Sequence, residues 1–397
     1  MFGIETALAS FTWQHLVMLL VMLLVGGLLI YLGIARKWEP FLLVPIGFGI
    51  IVGNLPLGYG VMGFQMPDGT LLSYLPPQWT ELIQQGGKPV GFLSRIFQYG
   101  FGWEIIPILM FLGLGAMTDF GPLIARPIYF LLGAAAQFGV YAAFFLAIAF
   151  GFKIPEACSI GIIGGADGPT TVYLTQILSP HIMGFTAVAA YTYMAMVPLI
   201  QPPVIRLITT KKERAIYMAP QLREVSNREK IAFPIYVTII TGLLVPAALP
   251  LIGTFMFGNL LSVTGVTARL SNTLASSFTD VITVFLGFCI GAYVSAESCL
   301  HSELLLVFVI GIFAFAFATA GGVIFAKLLN LVLRPKINPL IGAAGVSAVP
   351  MSARVVQRMG QQANPRNFLL MHAMGPNVAG VIGTAAAAGA FLSLLGY

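Results

Sequence analysis

The 397-residue chain predicts an all-α polytopic membrane protein. Three observations carry that expectation. Hydrophobic residues make up 58% of the chain. Charged residues make up only 9%, where an ordinary soluble protein has about 25%. Several stretches reach or pass about 18 apolar residues, the length a bilayer demands of a helix. Too few charges remain to cover a water-exposed surface, so a soluble enzyme, a nucleic-acid binder and a disordered chain are excluded. The net charge of +6 comes from basic residues clustered in short gaps between apolar runs, which is not a nucleic-acid footprint. The three cysteines, Cys158, Cys289 and Cys299, form neither a CxxC pair nor a disulfide framework.

The first apolar run, 15–34, is followed by Arg36-Lys37, and only Glu5 is charged before it. A secretory signal has its basic residues first. The run is therefore expected to be a retained helix, with Arg36-Lys37 in the cytoplasm and the N-terminus outside. Ten spans are expected: 16–35, 41–55, 101–118, 128–150, 184–205, 231–249, 252–266, 278–296, 304–329 and 368–396. The last is expected to break at Gly375-Pro376. The loop 206–230 holds seven Lys or Arg and three Glu and belongs in the cytoplasm. Arg334, Lys336, Arg354, Arg358 and Arg366 belong there too. The segment 56–99, with no net charge, fits the outer side. Asp119, Asp280 and Glu104 read as carboxylates at span ends, and Glu297 and Glu303 as solvated groups beside an external turn.

Two stretches do not read as continuous helices. They are 155–180, PEACSIGIIGGADGPTTVYLTQILSP, and 338–350, NPLIGAAGVSAVP. Irregular backbone cannot face lipid, because its unpaired N–H and C=O groups are costly there. Both are expected to be re-entrant or broken-helix segments of opposite sense, packed inside protein or lining a cavity. An internal echo supports two halves: Pro45 and Gly53-Asn54-Leu55 match Pro250 and Gly258-Asn259-Leu260 at a constant offset. Inverted repeats with interrupted helices are a usual plan of ion-coupled transporters. The expected organisation is an N-terminal helix and linker (1–39), a first repeat (40–205), the basic loop (206–230) and a second repeat (231–397).

Asp167 stands out among the candidate functional residues. It lies in a glycine-rich frame, Gly164-Gly165-Ala166-Asp167-Gly168, between long apolar runs. A carboxylate at bilayer depth costs about 2.5–3.5 kcal/mol on insertion scales, and a bound cation would offset that. Asn338, Ser347 and Asn377 offer neutral oxygens in the other interrupted segments, or act as ordinary caps and turns. One carboxylate among neutral oxygens suits a monovalent hard ion. Tyr191 and Tyr193 offer hydroxyls to a polar cavity, or form an aromatic helix face. Arg354 could hold an entering carboxylate group, or set topology. The four histidines are isolated from one another, so no transition metal is assigned.

Longer motifs carry a resemblance. GIIGGADGPTTVY (161–173), NPLIGAAGVSAVPMSARV (338–355) and HAMGPNVAGVIGTAAAAG (372–389) resemble the membrane beta subunit of the sodium-translocating biotin-dependent decarboxylases. That family includes the oxaloacetate, methylmalonyl-CoA, glutaconyl-CoA and malonate enzymes. GAMTDFGPL (115–123) and AYTYMAMVPLIQP (190–202) extend the likeness over nearly the whole chain. The resemblance implies a primary sodium pump whose membrane subunit decarboxylates carboxybiotin and exports Na+, with a proton consumed. It implies that biotin is borne by a partner, not by this chain. The implied partners are biotin-carrier and carboxyltransferase subunits, a small single-span gamma or delta subunit and an oligomeric complex in the cytoplasmic membrane of a bacterium or archaeon. It places Asp167 at the sodium site, with Asn338, Ser347 and Asn377 in the same coupling centre. Gly342 permits close packing there, and Tyr193 and Arg354 are tied to catalysis or coupling. The competing readings are a secondary sodium-coupled carboxylate transporter and a structural scaffold.

Overall fold

The structure, a computed structural model, describes residues 13–55, 59–72, 74, 76, 79–219, 223–294 and 302–397. Glu5, Glu297, Cys299 and the proposed external N-terminus lie outside the described residues, as does the side chain of Glu303. The architecture is helical, apart from a small sheet of strand order β2-β1-β3 in the segment 64–89. Its strands are β1 (Phe64–Gln65), β2 (Leu71–Leu72) and β3 (Lys88–Pro89).

The principal helices are α1 (Trp13–Ala35), α2 (Pro40–Asn54), α3 (Phe92–Gly100), α4 (Ile105–Met117), α5 (Tyr129–Ala136) and α6 (Phe138–Ala149). After them come α7 (Ile154–Gly161), α8 (Gly168–Leu178), α9 (Met183–Ile208), α10 (Asn227–Leu244) and α11 (Leu249–Val263). The chain closes with α12 (Ala268–Thr273), α13 (Thr279–Tyr293), α14 (Ser302–Val332), α15 (Met351–Ala363) and α16 (Leu370–Leu394). All ten expected spans fall on helices, but fewer qualify as spans. Among the described residues seven helices are long and apolar enough to cross a membrane, or eight if the bent pair α3–α4 is one span.

Three expected spans differ for identifiable reasons. The 41–55 span is α2, whose 15 residues cover about 22 Å at 1.5 Å per residue, short of a hydrocarbon core of about 30 Å. The 101–118 span holds only α4, and a bend of 68° at Phe101–Glu104, where Glu104 takes left-handed backbone angles, sets it off from α3. The 231–249 span begins as α10 with Arg228, Glu229 and Lys230 in its first turn, so its apolar part is short. The final span is corrected as well. α16 runs unbroken through Gly375-Pro376, with Pro376 inside the helix. Packing by neighbouring helices lets a membrane helix keep an internal proline.

The echoed residues do matching work. The Asn54 amide donates to Val294 O at 2.8 Å, one residue past the end of α13, against which α2 packs. The Asn259 amide donates to Thr118 O at 2.6 Å, one residue past the end of α4, against which α11 packs. Each half thus lends an asparagine-bearing helix to a helix of the other half. The apolar interior divides accordingly. One cluster is built on α1, α2, α3 and α13, a larger one gathers α5, α8, α11, α14, α15 and α16 around the interrupted segments, and a third packs α6, α7 and α14 against α9 at Tyr193.

Candidate functional site: the crossing of two interrupted segments

The first interrupted segment is a helix, a break and a second helix. α7 ends in a 3-10 turn at Ile162–Gly165, Ala166 takes left-handed angles, Asp167 is extended, and α8 begins at Gly168. The second has Asn338 extended, a 3-10 turn over Pro339–Gly345, extended backbone at Val346, and then α15. Residues 157–176 and 337–348 are buried throughout. Irregular backbone is therefore enclosed by protein, as the absence of water in a bilayer requires.

Glycine lets both breaks lie on neighbouring backbone. A Cβ at Gly164 would sit 2.5 Å from Gly139 O and 2.8 Å from Val140 N on α6. A Cβ at Gly342 would sit 2.1 Å from Gly322 O and 3.0 Å from Val323 N on α14. The two breaks rest in the same way on a Gly-Val pair of the preceding long helix. They are also joined directly, since Ser347 N donates to Gly165 O at 2.9 Å.

Asp167 sits at this junction, 3% exposed. Its Oδ1 caps α8 by accepting from Thr170 N at 3.2 Å. Its Oδ2 is buried with no partner. Ser347 Oγ meets Thr384 Oγ1 at 2.8 Å, and Thr384 Oγ1 lies 3.2 Å from Gln137 Oε1 and 3.0 Å from Gly380 O. Gly165 faces the Thr384 side chain; a Cβ there would come within 2.4 Å of it. Asp167 and Ser347 thus share one neighbourhood through Gly165 and Thr384.

Asn377, on α16, ties the second break in place. Its Nδ2 lies 3.1 Å from Ala344 O, 2.6 Å from Val346 O and 3.0 Å from Ser352 Oγ. Its Oδ1 is left buried and unpartnered. Asn338 is engaged elsewhere. Its Nδ2 donates to Arg214 O and Ile216 O, each at 2.8 Å, and its Oδ1 accepts from Leu340 N at 3.0 Å. Seven residues of 3-10 helix at about 2.0 Å each lie between it and the Ser347 end of the turn. Asn338 therefore fastens the backbone after α9, and Asn364, Asn367 and His372 add bonds to the same strap at Ala215 O, Ile216 O and Ala219 O.

Of the remaining sequence candidates, Gly168 carries no Cβ because the Tyr191 ring lies against it, 2.1 Å from where that atom would be. Tyr193 points away. Its hydroxyl donates to Phe308 O on α14, and its ring packs at Gly311. Arg354 is exposed on α15, with Glu39 as a charged neighbour. Sequence reasoning missed Gln137, Thr384 and Gln201. The last reaches from α9 to Ala343 O of the second break at 2.8 Å. A polar residue deep in an apolar run was the only signal for them, and it names no partner.

The fold and this crossing define a polytopic membrane protein with a protein-enclosed carboxylate at the junction of two broken segments. The chain belongs to the family of the Na+-transporting oxaloacetate decarboxylase beta subunit, whose model matches residues 18–395. It is 52% identical over 379 residues to the methylmalonyl-CoA decarboxylase subunit beta of Propionigenium modestum, covering 95% of each chain. It is 49% identical over 392 residues to the glutaconyl-CoA decarboxylase subunit beta of Acidaminococcus fermentans, covering 99% of this chain and 96% of the relative. The oxaloacetate decarboxylase beta chain of Klebsiella pneumoniae is 48% identical, with 94% of each chain covered. Family membership favours a decarboxylase subunit of a primary sodium pump over a secondary carboxylate transporter.

Proposed function

We propose that this chain is the membrane subunit that removes carbon dioxide from carboxybiotin and couples that step to sodium export. Carboxybiotin arrives from the cytoplasm on a biotin-carrier subunit, after a carboxyltransferase subunit has loaded it. A small single-span subunit completes the complex in the cytoplasmic membrane of a bacterium or archaeon. The observation that carries the reading is the buried Oδ2 of Asp167, with no hydrogen-bond partner, at the meeting point of the two broken segments. A charged carboxylate so placed needs a cation, or its charge is strongly disfavoured.

Sodium is the cargo. It binds at Asp167, with neutral oxygens supplied by Ser347 and Asn377, while Asn338 holds the cytoplasmic strap over the second break. Gly164, Gly165, Gly168 and Gly342 let backbone and side chains approach this point. Arg354, exposed on α15, steadies the incoming N-linked carboxylate. Transfer of that carboxylate to a drier position favours cleavage of the N–C bond. The electron pair of that bond stays on the ureido nitrogen, which takes up one proton as carbon dioxide leaves. Tyr193 lies on the route of that proton. Coupling requires sodium and carboxybiotin to prefer different states of the protein. The matched asparagine contacts and the matched resting places of the two breaks support two inverted repeats as the moving halves.

Purified complex carrying Asp167→Asn should assemble but lose sodium-dependent decarboxylation of carboxybiotin. Sodium uptake driven by a free carboxylate gradient, without carboxybiotin, would instead favour the symporter.

A further inference from the structure

Capping of α8 accounts for one oxygen of Asp167 and leaves the other unexplained. Two more buried oxygens nearby are also unexplained. The Thr170 hydroxyl lies beside the carboxylate, yet makes no hydrogen bond of good geometry. The Tyr191 hydroxyl has no partner either, although the residue is 1% exposed. Its ring is seated against Gly168, the residue after Asp167. A buried hydroxyl left without a partner is destabilising. Asp167 Oδ2 and the Thr170 and Tyr191 hydroxyls, carried on the adjoining helices α8 and α9, all lack a partner, and one shared partner would satisfy them. That partner accepts electron density from oxygen lone pairs, as a hard monovalent cation does.

The two neighbouring tyrosines are separated by this geometry. Residues two apart on a helix point about 200° apart. Tyr193 spends its hydroxyl on Phe308 O of α14, whereas Tyr191 brings its hydroxyl to the Asp167 side of α9. We infer that the Tyr191 and Thr170 hydroxyls are ligands of the sodium ion held by Asp167 Oδ2, and that Tyr191 sets the affinity and size selectivity of the site. This rests on the sodium reading of Asp167. A phenol fixed by its ring against Gly168 cannot follow a smaller or larger ion, so it penalises cations that do not match the distance it imposes.

The test is sodium-dependent thermal stabilisation of the purified complex, with choline chloride holding ionic strength constant. Tyr191→Phe should fold, since it removes only an unpaired hydroxyl. Its half-saturating sodium concentration should rise at least tenfold, and its preference for sodium over lithium should weaken. Thr170→Val should raise half-saturation similarly, and Thr170→Ser should restore it, which keeps the inference testable if Tyr191→Phe is unstable. A half-saturation within twofold of wild type in both Tyr191→Phe and Thr170→Val overturns the inference. Asp167→Asn separates the two levels. If it retains the wild-type sodium response, the sodium reading itself falls. If it loses the response while Tyr191→Phe and Thr170→Val keep it, only the roles of the two hydroxyls fall. A purely structural Tyr191 would shift the melting temperature without moving half-saturation, and that result also overturns the inference.

Discussion

Gly342→Ala tests the crossing of the second break with α14. The added Cβ would stand 2.1 Å from Gly322 O and 2.5 Å from Gly322 C, where ordinary contact begins near 3.4 Å. The atoms it meets are backbone, so no side chain can swing aside. The 3-10 turn and α14 would have to part by about 1 Å, in a region buried on every side. Overpacking of this kind costs about 1–3 kcal/mol. It would also displace Ser347, which bonds to Gly165 O five residues on. Gly27→Ala on α1 is the control, because nothing lies within 4 Å of its Cβ position. There alanine should be neutral or stabilising by about 0.5–1 kcal/mol, the usual helix preference over glycine. The assay is reversible unfolding in mixed micelles followed by tryptophan fluorescence, with sodium-dependent turnover measured alongside. If Gly342→Ala matches wild type in both readouts, the two segments are not in backbone contact and the reasoning fails.

Thr384→Val keeps the shape but removes the hydroxyl that links Ser347 to Gln137. It should destabilise the protein by about 0.5–2 kcal/mol, since a buried partner is orphaned but membrane hydrogen bonds average only about 0.6 kcal/mol. An unchanged unfolding midpoint would remove this chain from the site. Asn54→Ala and Asn259→Ala should lower stability by similar amounts, because each breaks the same kind of bond past the end of a partner helix. A large effect in one and none in the other would argue against two equivalent halves. Asn338→Ala should free the strap at 214–219, seen as faster hydrogen exchange at Arg214 and Ile216. No change in exchange there would show that Asn338 is not what holds it.

Much of the fold and part of the site could be read before the structure. A lone carboxylate in a glycine-rich frame between apolar runs marks Asp167 because burying such a group demands a reason. Gly and Pro inside apolar stretches mark the two broken segments for the same reason. What could not be read depends on direction or on distant contact. Nothing local tells which of Tyr191 and Tyr193 faces Asp167, since that is set by how α9 packs on α8. Asn338 resembles an ion ligand in its motif, and only the return of residues 214–219 shows that its amide is already engaged. Gln137 and Thr384 lie 247 residues apart, and each alone is one polar residue in an apolar helix. The bend ahead of α4 was not legible, because apolarity does not reveal the left-handed turn at Glu104.

Equilibrium binding of radioactive sodium to the purified complex, wild type against Asp167→Asn, is the most direct measurement. Saturable binding is expected in the wild type and none above background in the variant, with both proteins equally folded. Undiminished, saturable binding by the variant would contradict a sodium site at Asp167.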